Sequence, residues 1–369
     1  MKIGFDVSFL RLKNVGGFKS FVDYLLYGFL KNNFGNQNGF ELILITSNNN
    51  HKYYLENFPY KTINLDFDNS NHFKTILSCY KFVEKSILKE DIKNLFIPAP
   101  VYPIRNNRTN KIVTIHDMRY KDLPNTFSKL QILKRIISNN SIIKNSRQIV
   151  AITNFTKVKI AEFYPNSLNK LAYIPNPVTV NTLNIDNSIL SELELNKNDF
   201  YYTVSRLDDY KNLSTLIEMY KLANIKDINL KKLIVSGPSG NNSDAVKKTI
   251  AENKLSDKII LTGFISDEER NALYSNCTAF LFPSIYEGFG LPPIEAMFFG
   301  KKIIASNIPV LREVTNNEII YINNPKDTNE WLKKIQSEKI TKTYKAINIY
   351  KPEKIAKEYI GLFMKYFEE

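Results

Sequence analysis

Residues 282–300 read FPSIYEGFGLPPIEAMFFG. Two glutamates, Glu287 and Glu295, stand eight positions apart with Gly288, Gly290, Pro292 and Pro293 between them. Glycine costs a helix about 1 kcal/mol and an interior proline about 3, so no single helix runs through this stretch and the carboxylates do not share a helix face. The pattern predicts an apolar strand over 279–282, a glycine-rich turn carrying Glu287, and a short helix. Pro293 belongs in its first turn and Gly300 just past its end. Glu295 is then buried at the helix start. The backbone amides of Gly288, Phe289, Gly290 and Leu291 point the same way, which suits a negatively charged ligand.

Outward from this stretch, apolar β-rich runs alternate with helical ones, twice over. Strands are predicted at 2–7, 40–46, 62–65, 94–98, 112–115, 148–152 and 171–174, then at 201–205, 233–236, 259–262, 279–282, 302–305 and 319–322. Helical stretches between them imply parallel sheets covered on both faces. The polar stretch 176–199 divides the chain into two Rossmann-like domains. Ligands of such sheets collect outside the carboxyl ends of the strands. Several polar loops fall there. Asn14-Val15-Gly16-Gly17-Phe18 follows the first strand, and its glycine pair allows close backbone approach to a phosphate or sugar, or else makes a plain tight turn. His116 and Asp117 end another strand, with Asp117 expected to orient the imidazole. The second half contributes Arg206 to Asn212 (RLDDYKN), then Ser236-Gly237-Pro238, then Gly263-Phe264-Ile265-Ser266.

With 369 residues, 43% apolar and 24% charged, the chain has the composition of a two-domain globular protein. No run of eighteen apolar residues occurs, and the N-terminus lacks a signal peptide's apolar region. Cys79 and Cys277 are far apart and lack ligand spacing, so packed thiols are expected rather than a disulfide or a metal site. The formal net charge of +13 is one-sided. Residues 1–180 hold 25 Lys and Arg against 12 Asp and Glu, and the remainder balances. One half therefore faces something anionic. No nucleic-acid module is visible, which leaves a membrane surface. Residues 126–148 mix Ile and Leu with Lys129, Lys134, Arg135, Lys144 and Arg147. This is either a basic amphipathic surface helix or an ordinary domain helix with its lysines in water.

The EGFGLPPIEAM string resembles the donor site of retaining, nucleotide-sugar-dependent glycosyltransferases of family 4, whose signature is E-G-F-G-L-P-x-x-E-A. The resemblance implies the GT-B fold: two Rossmann-like α/β domains with parallel sheets facing across a cleft. Residues 1–180 would bind the acceptor, residues 181–352 the nucleotide sugar, and a helix at 353–369 would return to the first domain. It also implies roles. Glu295 binds the ribose, and Glu287 with the amides of Gly288 to Gly290 holds the sugar. Arg206 and Lys211 stabilise the departing diphosphate, with Ser205 standing where the family has glycine. His116 contacts the donor sugar. The family also has a glycine pair where Gly16 and Gly17 stand, on the donor or nucleotide side, and Ser236, Gly237, Phe264 and Ile265 complete the nucleotide pocket.

No cofactor or metal is implied, since the nucleotide sugar is a substrate and the two cations supply the charge. Asp66-Phe67-Asp68, a metal-binding pattern of a different fold, reads as loop punctuation. The TIHDMRY and RLDDYKN strings look like those of bacterial mannosyl- and rhamnosyltransferases of surface polysaccharide synthesis. That suggests GDP-mannose or dTDP-rhamnose, and a saccharide acceptor, lipid-linked, at the cytoplasmic face of the membrane. A nucleotide-sugar epimerase, a phosphorylase and a non-catalytic GT-B binding subunit are the alternatives.

Overall fold

A computed structural model describes residues 1–12, 17–35, 39–105, 109–336 and 344–367. The chain divides into two compact units, Met1–Thr179 with Asn348–Glu369, and Val180–Ile347.

The first unit is built on a seven-stranded parallel sheet in the order β3-β2-β1-β4-β5-β6-β7. Its strands are β1 (Lys2–Asp6), β2 (Glu41–Ser47), β3 (Lys61–Leu65), β4 (Asn94–Ile97), β5 (Asn110–Ile115), β6 (Gln148–Ala151) and β7 (Leu171–Tyr173). Successive strand residues point to opposite faces, yet four consecutive residues of β1 and all of β4 are buried, so both faces are covered. The helix Gly17–Lys31 buries Phe21, Val22, Leu25, Leu26 and Phe29, a 3.6-residue stripe. The terminal helix Pro352–Phe367 returns to this unit and packs on Gly17–Lys31. Its Phe363 ring lies 5.9 Å from that of Phe29 and 5.4 Å from that of Phe96.

The second unit is a six-stranded parallel sheet, β10-β9-β8-β11-β12-β13. The strands are β8 (Phe200–Val204), β9 (Lys232–Ser236), β10 (Ile259–Gly263), β11 (Ala279–Phe282), β12 (Lys302–Ser306) and β13 (Ile320–Ile322). Its core joins these strands to Leu216 and Tyr220 of helix Leu213–Ile225 and to the fully buried Trp331 of helix Thr328–Gln336. In each sheet the strand order reverses once, between β1 and β4 in the first and between β8 and β11 in the second. Loops leaving the carboxyl ends of strands at such reversals splay apart and form a crevice.

Three local features add detail that the apolar pattern does not carry. The helical stretch between β3 and β4 runs His72–Ser78, then a π turn Cys79–Val83, then Glu84–Lys89. The wider turn keeps Cys79, Val83 and Ile87 inward at fourfold spacing. The polar connection holds a short helix, Ser188–Glu192, anchored by the buried Ile189. Helix His51–Asn57 follows the turn at Asn48–Asn50. Buried Asn50 donates to the carbonyls of Val7 (2.7 Å) and Leu10 (2.9 Å), which fixes where that helix begins.

Candidate functional site

At the reversal of the second sheet, strands β8 and β11 pair side by side, which sets the loops after them next to each other. The loop after β8 runs through Arg206 and Asp208 into a 3-10 turn, Asp209–Lys211, and then Asn212 at φ 55°, which starts helix Leu213–Ile225. Asparagine tolerates that left-handed conformation. Its buried side chain donates to the carbonyls of Pro283 (3.1 Å) and Pro325 (3.0 Å), and Ile285 N donates to Tyr210 O at 2.9 Å. The two loops are thereby locked together.

That lock places Lys211 Nζ 2.7 Å from Glu287 Oε1, with both side chains mostly buried. The ammonium also lies 5.2 Å from the Tyr210 ring centre and 5.7 Å from that of Phe282. The sequence left this cation and this carboxylate 76 positions apart; the strand pairing joins them. Arg206 is different. Its side chain is largely exposed, and its Nε lies 3.4 Å from Asp208 Oδ2. It is a charge presented outward from the same loop.

Gly290, at φ 88°, is the residue before helix Leu291–Phe298, and a Cβ there would come within 2.6 Å of Leu311. Glycine is required both for conformation and for space. Pro292 and Pro293 fit the first turn, where their missing N–H groups have no helical partner. The Phe289 ring is buried, while Leu291 is partly exposed.

Glu295 is buried on this helix and is held from one side. Tyr274 OH donates to Oε2 at 2.9 Å, and Arg270 Nε lies 3.7 Å from the same oxygen. Burial works against the Arg270 charge, but Glu295 and Asp267 overcome it and raise its pKa further. Burial and the Glu295 carboxylate push the Tyr274 phenol well above its usual range, so it stays a donor. Tyr274 and Arg270 are the members that the sequence reading missed. A tyrosine in a helix reads as core, and Tyr274 does also stack on Phe299.

The remaining residues expected around a nucleotide separate. Ser236 is buried and its hydroxyl pairs with Tyr202 OH at 2.6 Å, so the side chain serves the core of the sheet. Gly237, at φ 137°, does the close approach: a Cβ would come within 2.2 Å of Ser205 O. Gly237 thus carries the close backbone approach beside Ser205, which stands where the resembled family has glycine. Ser205 keeps its side chain and donates to Arg206 O at 2.8 Å. Phe264 exposes 62% of its surface beside the partly exposed Ile265.

In the first unit, His116 follows β5. It is buried, and its Nε2–H donates to Pro98 O at 2.7 Å, which fixes the tautomer. Asp117 does not orient the ring, as the sequence reading had it. Its Oδ1 instead accepts from Arg119 N at 3.0 Å, and the Arg119 guanidinium stacks over Phe127. Neighbouring residues at a strand end diverge, which is the physical reason. Phe18 and Phe21 meet the imidazole edge-on at 4.7 and 4.9 Å. The helix that starts at Gly17 therefore walls the histidine; Gly16 lies outside the described residues. Asp66 accepts from Asn48 Nδ2 at 3.1 Å and Asp68 from Ser70 N at 2.6 Å, both loop-stabilising bonds.

Burial lowers the His116 pKa to about 4. The unfolded chain takes up a proton below about 6.5 while the folded ring stays neutral. This contribution to stability is therefore complete above pH 6.5 and is lost as pH falls towards 4, on the order of 3 kcal/mol in all. An NMR titration should show the ring neutral and Nε2-protonated at pH 5. A midpoint near 6.5 would contradict this.

Residues 186–353 match the family model described as Glycosyl transferases group 1. An O-antigen chain mannosyltransferase of Salmonella typhimurium is 28% identical over 228 residues, 62% of this chain and 60% of that protein. O-antigen chain mannosyltransferase B of Escherichia coli is 22% identical over 233 residues, 62% of this chain and 61% of that protein. The chain thus spans about three fifths of the length of these curated relatives. Among solved structures, sucrose-phosphate synthase from Thermosynechococcus elongatus superposes with a TM-score of 0.76 at 17% identity, covering 100% of this chain and 99% of that one. The fold is that of GT-B glycosyltransferases.

Proposed function

We propose that this chain, whose residues 186–353 form a glycosyl transferases group 1 domain, moves a hexose from a nucleotide sugar to a saccharide acceptor. The observation that carries the reading is the Lys211–Glu287 pair, set at the reversal of the second sheet beside the turn 288–291. Mannose is the favoured sugar, because the relatives are O-antigen mannosyltransferases; GDP-mannose is then the donor ahead of dTDP-rhamnose. The acceptor is a lipid-linked saccharide at the cytoplasmic face of the membrane.

In this reading Glu295 accepts from the ribose hydroxyls through Oε1, since Oε2 is taken by Tyr274. The exposed Phe264 ring lies under the base. Glu287 holds a sugar hydroxyl, and Lys211 and Arg206 neutralise the diphosphate as the C1–oxygen bond breaks. The acceptor oxygen bonds to C1 on the face that the leaving group vacates, and its proton passes to the departing phosphate oxygen. Configuration at C1 is retained, and no metal is needed for the charge.

Tyr274→Phe tests the Glu295 role. A hydrogen bond to a charged group contributes about 1.5–3 kcal/mol. The variant should raise the donor KM about tenfold or more with kcat little changed; an unaltered KM would remove Tyr274 from the site. The whole reading is tested by thermal shift with GDP, UDP, dTDP and ADP. Stabilisation by one of them, lost in Glu295→Ala, is expected, and no shift with any of the four would overturn the proposal.

A further inference from the structure

The excess positive charge of the first unit is concentrated on two helices that touch. The helical run over residues 72–89 carries Lys74, Lys81, Lys85 and Lys89; its one acid, Glu84, is buried near Lys111 at 3.9 Å. The helix Lys129–Asn145 carries Lys129, Lys134, Arg135 and Lys144 and has no acid. Lys134 Nζ lies 4.9 Å from the centre of the Phe73 ring and joins the two. Arg105, in the connection after β4, covers the Tyr80 ring at 4.4 Å and adds another cation.

This basic face is also apolar. Phe73, Leu77 and Leu88 on the first run, and Leu130, Leu133 and Ile137 on the second, are each half or more exposed. Positions 130, 133 and 137 follow helical spacing and so form one stripe. The helix does pack on the unit, through Ser138, Asn139, Ile142 and Ile143, but these three aliphatics point away from that contact. A solvated helix of a globular domain places its lysines outside and its leucines inside. Here both are outside, which is the composition of a helix lying in a headgroup layer.

We propose that residues 72–89 and 129–145 form the surface by which the first unit docks on a bilayer rich in anionic lipid. The lysines meet lipid phosphates and the aliphatic stripe enters the acyl boundary. The proposal rests on the reading that the acceptor is lipid-linked, and it assigns this face as the one that brings the enzyme to it. Charge complementarity selects the occupant. Eight cations without an exposed acid repel a second copy of the same face, and the protruding aliphatics have no use on a nucleic-acid backbone.

The test is flotation with vesicles of phosphatidylcholine alone or mixed with phosphatidylglycerol. The wild-type chain should bind the mixed vesicles, and more weakly as salt rises. Lys74→Glu with Lys81→Glu and Lys129→Glu should cut binding tenfold or more. Leu130→Ser with Leu133→Ser and Ile137→Ser should do the same with all charges intact, which purely electrostatic adsorption would not. Both variants should keep the wild-type melting temperature and nucleoside-diphosphate shift. Unchanged vesicle binding in either variant would overturn the assignment, as would wild-type binding to neither vesicle, a dimer dispersed by the serine changes, or preference for RNA. If nucleotide binding persists while vesicle binding is absent, the docking surface falls and the transferase reading stands; the reverse outcome leaves the surface and removes the enzyme.

Discussion

Replacing Lys211 with alanine should lower kcat/KM for sugar transfer a hundredfold or more. Two effects act together. The cation beside the breaking bond is lost, and one preorganised charge of this kind is worth about 3–4 kcal/mol at the transition state. Glu287, whose oxygen lies 2.7 Å from Nζ, is also left in a mostly buried place without its ion-pair partner. Breaking such a pair is costly even where the intact pair contributes little. The double variant with Glu287→Gln separates the two. It should recover melting temperature relative to Lys211→Ala while leaving the rate low. A rate within threefold of wild type in Lys211→Ala would show that the ammonium has only a structural role.

The second large effect concerns the terminal helix. Gly28 lies in the last turn of helix Gly17–Lys31, and glycine in a helix costs up to about 1 kcal/mol relative to alanine. On propensity alone, Gly28→Ala should stabilise the protein. A Cβ at Gly28, however, would come within 2.2 Å of Pro352 O and 2.8 Å of Ala356 Cβ. The backbone of helix Pro352–Phe367 must then move, and with it Ile355, Tyr359, Phe363 and Phe367, all buried. Overpacking of this kind costs about 1–3 kcal/mol, and more where backbone rather than a side chain must yield. Gly361 is the control. A Cβ there meets nothing within 4 Å, so Gly361→Ala should stabilise by several tenths of a kcal/mol to about 1. Urea unfolding followed by circular dichroism checks both signs. Stabilisation by Gly28→Ala would contradict the described packing.

The sheets were readable from sequence because buried parallel strands are continuous apolar runs. β11 begins and ends where the pattern puts it, and β12 begins where predicted. The glycine-proline punctuation of residues 288–293 likewise shows that Glu287 stands on a turn and Glu295 on the short helix after it, though the helix begins at Leu291 and Glu295 lies in its middle rather than at its start. What was not readable depends on contacts between distant segments. Nothing local marks Tyr274 as the donor to Glu295, or Gly237 as the residue that admits the Ser205 backbone. Asp117 failed as the orienting acid because adjacency in sequence is not adjacency of side chains; the carbonyl of Pro98, eighteen residues before the histidine, took that place. The exposed stripe Leu130, Leu133 and Ile137 was hidden for a related reason. A mixed Ile/Leu/Lys helix does not announce which of its aliphatics reach the core.

The most direct measurement incubates the purified chain with sugar-labelled GDP-mannose and a lipid-linked saccharide extracted from a surface-polysaccharide-producing bacterium. The account predicts that label passes to the lipid fraction, that one GDP appears per sugar moved, and that NMR finds the α configuration of the donor preserved in the product. Transfer from neither GDP-mannose nor dTDP-rhamnose, or a product of inverted configuration, would contradict it.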